Sequence, residues 1–376
     1  RNIMSKNALK AKINQNNPIK IATDVSKCII GQNDYINALT SILWMQKEKY
    51  RLNKSPVTKT EVSFSPPNTL VLGNSGTGKT SSIKRIAKEF GLNIIVVDAS
   101  TLTGSGVRGM DVDDIAENIM DAAKWNTDVA EYSVVILDEL DKVLYKNAFT
   151  KYPHMDPTPN LLKFIEGRRF NLMKKILFDE NGCPIENVDS PFPIMPSHFS
   201  LDTSNILFIG LGAFEGLEDI ILKSTKKNNS IGFNKEPVTN EYVENPLSKV
   251  TMKNLIEYGV NPQLLGRFSY ITATNNLTES SLKEILMNSP ISPVKEYARL
   301  TKNILDLNID ISDTAAEAIA KKGANSAMGA RYLNQFISDL LVEKINQAPF
   351  SPDTVLLYID IVDGKFKVID SPLELE

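Results

Sequence analysis

Sulfur and imidazole are scarce in this chain. The two cysteines, Cys28 and Cys183, stand far apart with no C-x-x-C partner, so neither a disulfide framework nor a thiolate zinc site is expected. His154 and His198 are the only histidines; surface or loop positions are expected for both rather than a metal centre. No apolar run approaches the roughly 18 residues of a membrane-spanning helix. Charge of one sign is also lacking: 42 Lys+Arg against 45 Asp+Glu give a formal net charge of −3. With no basic stripe studded with aromatics, a nucleic acid or a membrane is not the expected partner. The opening "RNIMSKNALKAKINQNN" carries no signal-peptide core, and a cytoplasmic protein is expected.

What is present is ordinary in amount and specific in order. The 376 residues are 42% hydrophobic and 23% charged, a globular composition with length for two domains. Residues 1–27 are polar and read as an N-terminal arm. From Gln32 to Leu52, Ile36, Leu39, Ile42, Leu43 and Met45 recur at helical spacing. Short apolar runs then alternate with helical segments. "TLVL" (69–72), "NIIVV" (93–97), "SVVIL" (133–137), "NILFIG" (205–210) and "SYITA" (269–273) are the five strand candidates. Near-continuous apolar strands separated by helices predict a parallel sheet covered on both faces. Residues 168–202 break the pattern, with a hairpin around "ENG" and three prolines in "DSPFPIMPSHF", and read as an insertion. After Asn276 helical stretches dominate, at 294–305, 313–322 and 329–347, and the chain closes with a hairpin turning at "DG". The expected organisation is an α/β domain over 28–276 and a smaller, mostly helical domain over 277–376.

The first glycine pattern to meet the eye misleads. "GSGVRG" (104–109) fits the dinucleotide fingerprint G-x-G-x-x-G letter for letter. That fingerprint works only where its glycines join a strand directly to a helix N-terminus. Here six residues intervene after Val97, and the next helix opens on Asp111, Asp113 and Asp114, which satisfy the helix dipole and repel phosphate. No dinucleotide site is expected.

"GNSGTGKT" (73–80) is a different case. It matches G-x-x-x-x-G-K-[ST], follows a strand and opens a helix. Gly73, Asn74, Ser75, Gly76, Thr77, Gly78, Lys79, Thr80 and Ser81 therefore form a candidate ATP-phosphate cradle. Lys79 reaches the β- and γ-phosphates, and the Thr80 hydroxyl ligates Mg²⁺. "SVVILDELDK" supplies the acids: Asp138 to hold Mg²⁺ and Glu139 to polarise water as general base, at a strand's C-terminal end where ligands of such sheets gather.

Strand, P-loop, acidic pair, later strand and helical lid, in that order, resemble the plan of the AAA+ ATPases, and the motifs resemble those of the ClpX and HslU unfoldases in particular. "CIIGQNDYINAL" resembles their adenine cradle, which implies contacts from Ile29 and Ile30. "NILFIGLGAFEGLEDII" resembles their fourth strand and its helix, without an evident polar first sensor. "YGVNPQLLGRF" resembles the segment ending in an arginine finger, which implies Arg267 reaching a neighbour's ATP; "MGARYL" resembles the second sensor, which implies Arg331. "LTGSGVRGMDVDDIAENI" resembles the first pore loop, with Gly106-Val107-Arg108-Gly109 where ClpX has Gly-Tyr-Val-Gly. Val107 in place of the aromatic implies a weaker grip on substrate. Ile231, Gly232 and Phe233, within a polar loop over 224–245, resemble the ClpX loop that docks on the peptidase ClpP.

The resemblance implies a homo-hexamer that uses ATP and Mg²⁺ to unfold protein substrates and thread them into a ClpP-type peptidase. The alternative is a remodeller of protein complexes that works without a peptidase. A nucleic-acid motor is disfavoured by the charge balance, and a non-hydrolysing regulator by Glu139 with two candidate arginines. The zinc-binding N-terminal domain of ClpX has no counterpart in this sequence, nor does its Arg-Lys-His pore-entrance loop, so their modes of substrate delivery are not implied.

Overall fold

Five apolar runs become five parallel strands. In chain order the strands up to residue 273 are β1 (Thr69–Leu72), β2 (Ile94–Asp98), β3 (Val134–Asp138), β4 (Arg169–Lys174), β5 (Leu177–Phe178), β6 (Pro184–Ile185), β7 (Ser197–Asp202), β8 (Leu207–Gly212) and β9 (Tyr270–Ala273). One sheet has the order β2-β3-β8-β1-β9, with every pairing parallel. The computed structural model describes residues 17–54, 64–103, 109–145, 155–174, 177–178, 184–185, 197–228, 245–326, 328–346 and 354–371. Its residues fall into two compact units: Asn37–Gly73 with Ile83–Ala273, and Ile19–Ile36 with Asn74–Ser82 and Thr274–Glu376.

In the first unit, position in the sheet explains the composition of each strand. The inner strands β1, β3 and β8 are buried along nearly their whole length, as continuous apolar runs require. The edge strands β2 and β9 are only partly covered. Helices flank the sheet. Lys79–Phe90 buries Ile83, Ile86, Ala87 and Phe90, one stripe at i, i+3, i+4 and i+7. Val112–Ala122 buries Val112, Ile115, Ala116, Ile119 and Met120 and packs on β2. Each buried isoleucine contributes about 1.5–3 kcal/mol of hydrophobic stabilisation. Between β3 and β8 the expected insertion is a pair of ribbons outside the main sheet. β4 pairs antiparallel with β7 from Arg169↔Asp202 to Lys174↔Ser197, and β5 pairs with β6 across the "ENG" segment.

In the second unit, Glu279–Met287, Pro293–Leu305, Asp313–Ala324 and Ala330–Asn346 are helices around a core of Leu282, Leu286, Ile319, Leu333, Ile337 and Leu341. Thr278 and Ser312 cap two of them by accepting the amides of Ser281 and Ala315. The unit carries a three-stranded sheet in the order β10 (Asn308–Ile311), β11 (Leu356–Val362) and β12 (Lys365–Ser371). The "DG" turn closes β11 on β12 with Asp363 at φ 54° and Gly364 at φ 72°, the primed turn that such a dipeptide favours. Parallel pairing of β10 with β11 was not expected.

The segment read as an arm is corrected from residue 18 onward. Pro18–Cys28 is a helix whose Ile21, Ala22, Val25 and Cys28 are buried. Among the described residues, no helix is long and apolar enough to cross a membrane.

Candidate functional site

The phosphate loop is shaped by its glycines and closed on itself by side chains. β1 runs directly into it, and the Gly73 amide donates to Gly212 O at the end of β8. Gly76 and Gly78 have φ of 76° and 92°, in the left-handed region that side chains rarely adopt. Asn74 O accepts from both the Thr77 hydroxyl, at 2.9 Å, and Lys79 Nζ, at 2.8 Å. The Lys79 ammonium thus lies across its own loop, on the path a phosphate chain takes through such a motif. The second unit supports the loop from behind. Thr77 shares a buried 2.8 Å hydrogen bond with Thr274, and Asn74 donates to Asn276. The Tyr35 hydroxyl donates to Lys79 O and accepts from Ser82, which also donates to Lys79 O. Burial pushes the Tyr35 phenol well above its ordinary range, so it remains a neutral donor.

Ile29 and Ile30 are both buried in this unit. Ile29 Cγ2 lies 3.1 Å from where a Cβ on Gly78 would stand, so the apolar segment expected at the base packs directly behind the phosphate loop. Arg331 arrives on the first turn of Ala330–Asn346 and donates from Nη1 to Ser75 Oγ at 3.0 Å. Ile29, the phosphate loop and Arg331 are therefore brought together within one unit.

The acidic pair stands at the C-terminal end of β3, in the first unit, on the same sheet edge from which β1 leaves. Asp138 is half-buried and Glu139 exposed. Glu139 has φ 54°, a left-handed conformation that costs a side-chain-bearing residue about 1–2 kcal/mol. The turn is held by the Glu139 amide donating to Asp138 Oδ1 at 3.0 Å and the Leu140 amide donating to Leu211 O at 2.8 Å. The glycines of "IGLG" have a reason here. A Cβ on Gly210 would collide with Leu140, and one on Gly212 would stand 2.9 Å from Asp141 Oδ1. β8 is bare at these positions so that the turn after β3 can press against it. Asp141, almost fully buried, also accepts the amide of Phe214 at 3.4 Å. This support was not anticipated from the sequence. A non-glycine residue strained at a strand end is where functional groups are commonly found.

Arg267 follows Pro262–Leu265, where Phe268 is fully buried and anchors the segment. Its guanidinium pairs with Glu166 of the same chain, at the end of Thr158–Glu166. Both side chains are close to half exposed, at 44% and 41%, so the pair is worth no more than about 1 kcal/mol and holds the cation without trapping it. Glu166 was not foreseen as its partner.

The glycine loop at 104–109 has a described base. Leu102 bridges Met110, and the Thr103 amide donates to Met110 O at 3.0 Å. Gly109, at φ 153°, leaves no room for a Cβ beside Thr103. Beyond the loop, Asp111 accepts the amides of Asp113 and Asp114, and Asp114 accepts that of Asp111. The amides a pyrophosphate would need are thus taken. Gly106, Val107 and Arg108, and the whole Ile231-Gly232-Phe233 segment, lie outside the described residues.

For a metal, the Thr80 hydroxyl and the Asp138 carboxylate are hard oxygen donors of the kind Mg²⁺ takes. Among the described residues no three His, Cys, Asp or Glu side chains gather into a metal-holding group.

A parallel sheet in this order, a P-loop leaving its inner strand and an acidic pair on the same edge define a class, and comparison with known proteins agrees. Residues 69–212 match the family of ATPases associated with various cellular activities (AAA), and residues 277–354 match the C-terminal, D2-small domain of ClpB protein. The chain carries an AAA ATPase domain with the α/β P-loop fold, and it binds and hydrolyses ATP. It is similar to the ATP-dependent Clp protease ATP-binding subunit ClpX of Borrelia duttonii (strain Ly), 29% identical over 340 residues, covering 89% of this chain and 75% of that protein. The subunit of the same name from Azotobacter vinelandii is 28% identical over 355 residues, covering 92% and 77%. That of Treponema denticola is 27% identical over 338 residues, covering 88% and 77%. Within the AAA+ class, then, this chain is ClpX-like.

Proposed function

We propose that the protein is an ATP-driven unfoldase and translocase that works as a homo-hexamer in the cytoplasm and threads protein substrates into a ClpP-type peptidase. The observation that supports the hydrolytic part of this reading most directly is the strained Glu139 turn, braced by Asp138, Leu211 and the bare glycines of β8, on the sheet edge from which the P-loop leaves; the unfolding and threading part rests on the likeness to the ClpX subunits. In this reading Lys79 and the loop amides hold the phosphates, and Thr80 and Asp138 hold Mg²⁺. Bound Mg²⁺ supplies charge neutralisation on the phosphates. Ile29 and Ile30 face the base, and Glu139 takes a proton from the attacking water. Arg331 contacts the nucleotide within its own subunit. Arg267 exchanges its weak pairing with Glu166 for the γ-phosphate bound by a neighbour, so turnover depends on assembly. Gly106, Val107, Arg108 and Gly109 form the substrate-gripping loop, and Ile231, Gly232 and Phe233 the peptidase anchor.

Arg267→Ala should abolish ATP hydrolysis while leaving nucleotide affinity within about twofold; normal turnover in that variant would remove Arg267 from the site. The peptidase step is tested by a pull-down from source lysate with ATP and a Glu139→Gln bait, with and without Phe233→Ala. A ClpP-like peptidase recovered only with Phe233 intact supports the threading role. Its absence from both baits favours the peptidase-independent remodeller.

A further inference from the structure

Within the second unit, the segment that carries Arg331 lies on the phosphate loop backbone to backbone, and two glycines permit the approach. Gly329 has φ 55°. A Cβ there would stand 3.0 Å from Ser75 O and 3.3 Å from Gly76 C. A Cβ on Gly76 would in turn run into the Met328 carbonyl oxygen. Between these contacts the Ala330 amide donates to Gly76 O at 3.2 Å, and the Arg331 guanidinium donates to Ser75 Oγ at 3.0 Å. The Arg331 amide closes the turn onto Met328 O at 3.2 Å.

We propose that Gly329 is a positioning residue for Arg331: by letting its backbone touch Ser75 and Gly76, it fixes where the guanidinium stands relative to bound nucleotide. This rests on the reading of Gly73–Thr80 as the phosphate site and of Arg331 as a nucleotide contact. An arginine side chain has several free torsions, and ordering it costs on the order of 2 kcal/mol. Seating its own main chain on the loop removes most of the search. Gly76 then has two duties, since the loop must curve around phosphate and also admit the Met328 carbonyl. The second duty accounts for a contact that the phosphate motif by itself does not require.

The test is a double-mutant cycle on the full chain, with Mg·ADP affinity read by calorimetry. Gly329→Ala should weaken binding about tenfold, about 1.4 kcal/mol, because its Cβ lifts the segment off Ser75. In an Arg331→Ala background the same substitution should change affinity by less than about twofold, since the group it positions is gone. Gly329→Asn is the companion variant. Asparagine tolerates the left-handed backbone, so it preserves the turn if alanine does not, yet its Cβ meets Ser75 O just as alanine's does and should give the same loss. Losses that multiply in the double variant, or a Gly329 effect with none from Arg331→Ala, overturn the proposal. Lys79→Ala is measured in parallel: if it binds Mg·ADP normally, the phosphate-site reading itself fails and the inference falls with it. If Lys79→Ala loses binding while the cycle is additive, only the role of Gly329 fails.

Discussion

Two glycine-rich segments of this chain look alike in sequence and lie in different surroundings. Both follow a strand of the same parallel sheet, β1 for residues 73–78 and β2 for residues 99–111, and both precede a helix with a strong apolar face. The first helix, Lys79–Phe90, has no acid in its first turn. The second, Val112–Ala122, is entered through Asp111, with Asp113 and Asp114 behind it, and its first amides are consumed by carboxylates. Glycine spacing only says that a backbone bends; what the amides beyond the bend face decides whether an anion fits there. The route taken differs too. After β2 the chain first makes a short 3-10 turn, Ala99–Thr101, and then closes the Leu102–Met110 bridge, so this strand does not lead directly into a helix N-terminus as β1 does.

The largest effect that can break this contrast is at Lys79. Lys79→Ala should reduce ATP affinity by on the order of a hundredfold, about 2.8 kcal/mol, and extinguish turnover with it. Titration with Mg·ATP checks the first, and phosphate release the second. Retained binding would mean that the two loops are not different in kind.

A smaller effect, with the opposite selectivity, is expected at Val107. Val107→Tyr adds an aromatic that can cover about 150–250 Å² when fully buried, of which a transient pore contact realises a fraction. Unfolding of a tagged fluorescent substrate should speed up about threefold, equivalent to roughly 0.65 kcal/mol of grip, with the affinity for ATP unmoved. An unchanged unfolding rate would show that the second loop does not touch substrate.

Much of this was legible in the sequence because the signals were local. Each inner strand is an uninterrupted apolar run, the phosphate loop sits between a strand and a helix, and "DG" between two alternating runs names its own turn. What escaped depends on partners distant along the chain or on a torsion no letter encodes. The Pro18–Cys28 helix hides its buried stripe, Ile21, Ala22, Val25 and Cys28, among lysines and polar residues. β10 is four residues long and becomes a strand only because β11 lies beside it. The Glu166–Arg267 pair joins residues 101 apart, and Arg331 meets Ser75 across 256. Glu139 reads as an ordinary acid; its left-handed backbone is imposed by Leu211 and by the glycines of β8. The glycines of "IGLG" were visible, and they were the one sequence signal that could have announced a close approach there.

The smallest effect isolates what the acidic cap does. Asp111 accepts at 2.8 Å from the Asp113 amide and at 3.1 Å from the Asp114 amide, while Asp114 accepts at 2.8 Å from the Asp111 amide. Asp111→Ala removes the first two bonds and leaves Asp114 holding the third. Such a cap contributes about 0.5–2 kcal/mol, and its loss should lower the melting temperature by a few degrees in a unit of this size. Asp111→Asn, which caps nearly as well, should lose much less, separating the geometry of the cap from its charge. Neither variant should alter ATP affinity, because the cap belongs to the helix after β2 and not to the phosphate loop after β1. A change in ATP affinity beyond about twofold, or dinucleotide binding newly gained by Asp111→Ala, would show that the carboxylate was excluding an anion from a site the glycines had already built, and the two loops would then differ only by that one residue.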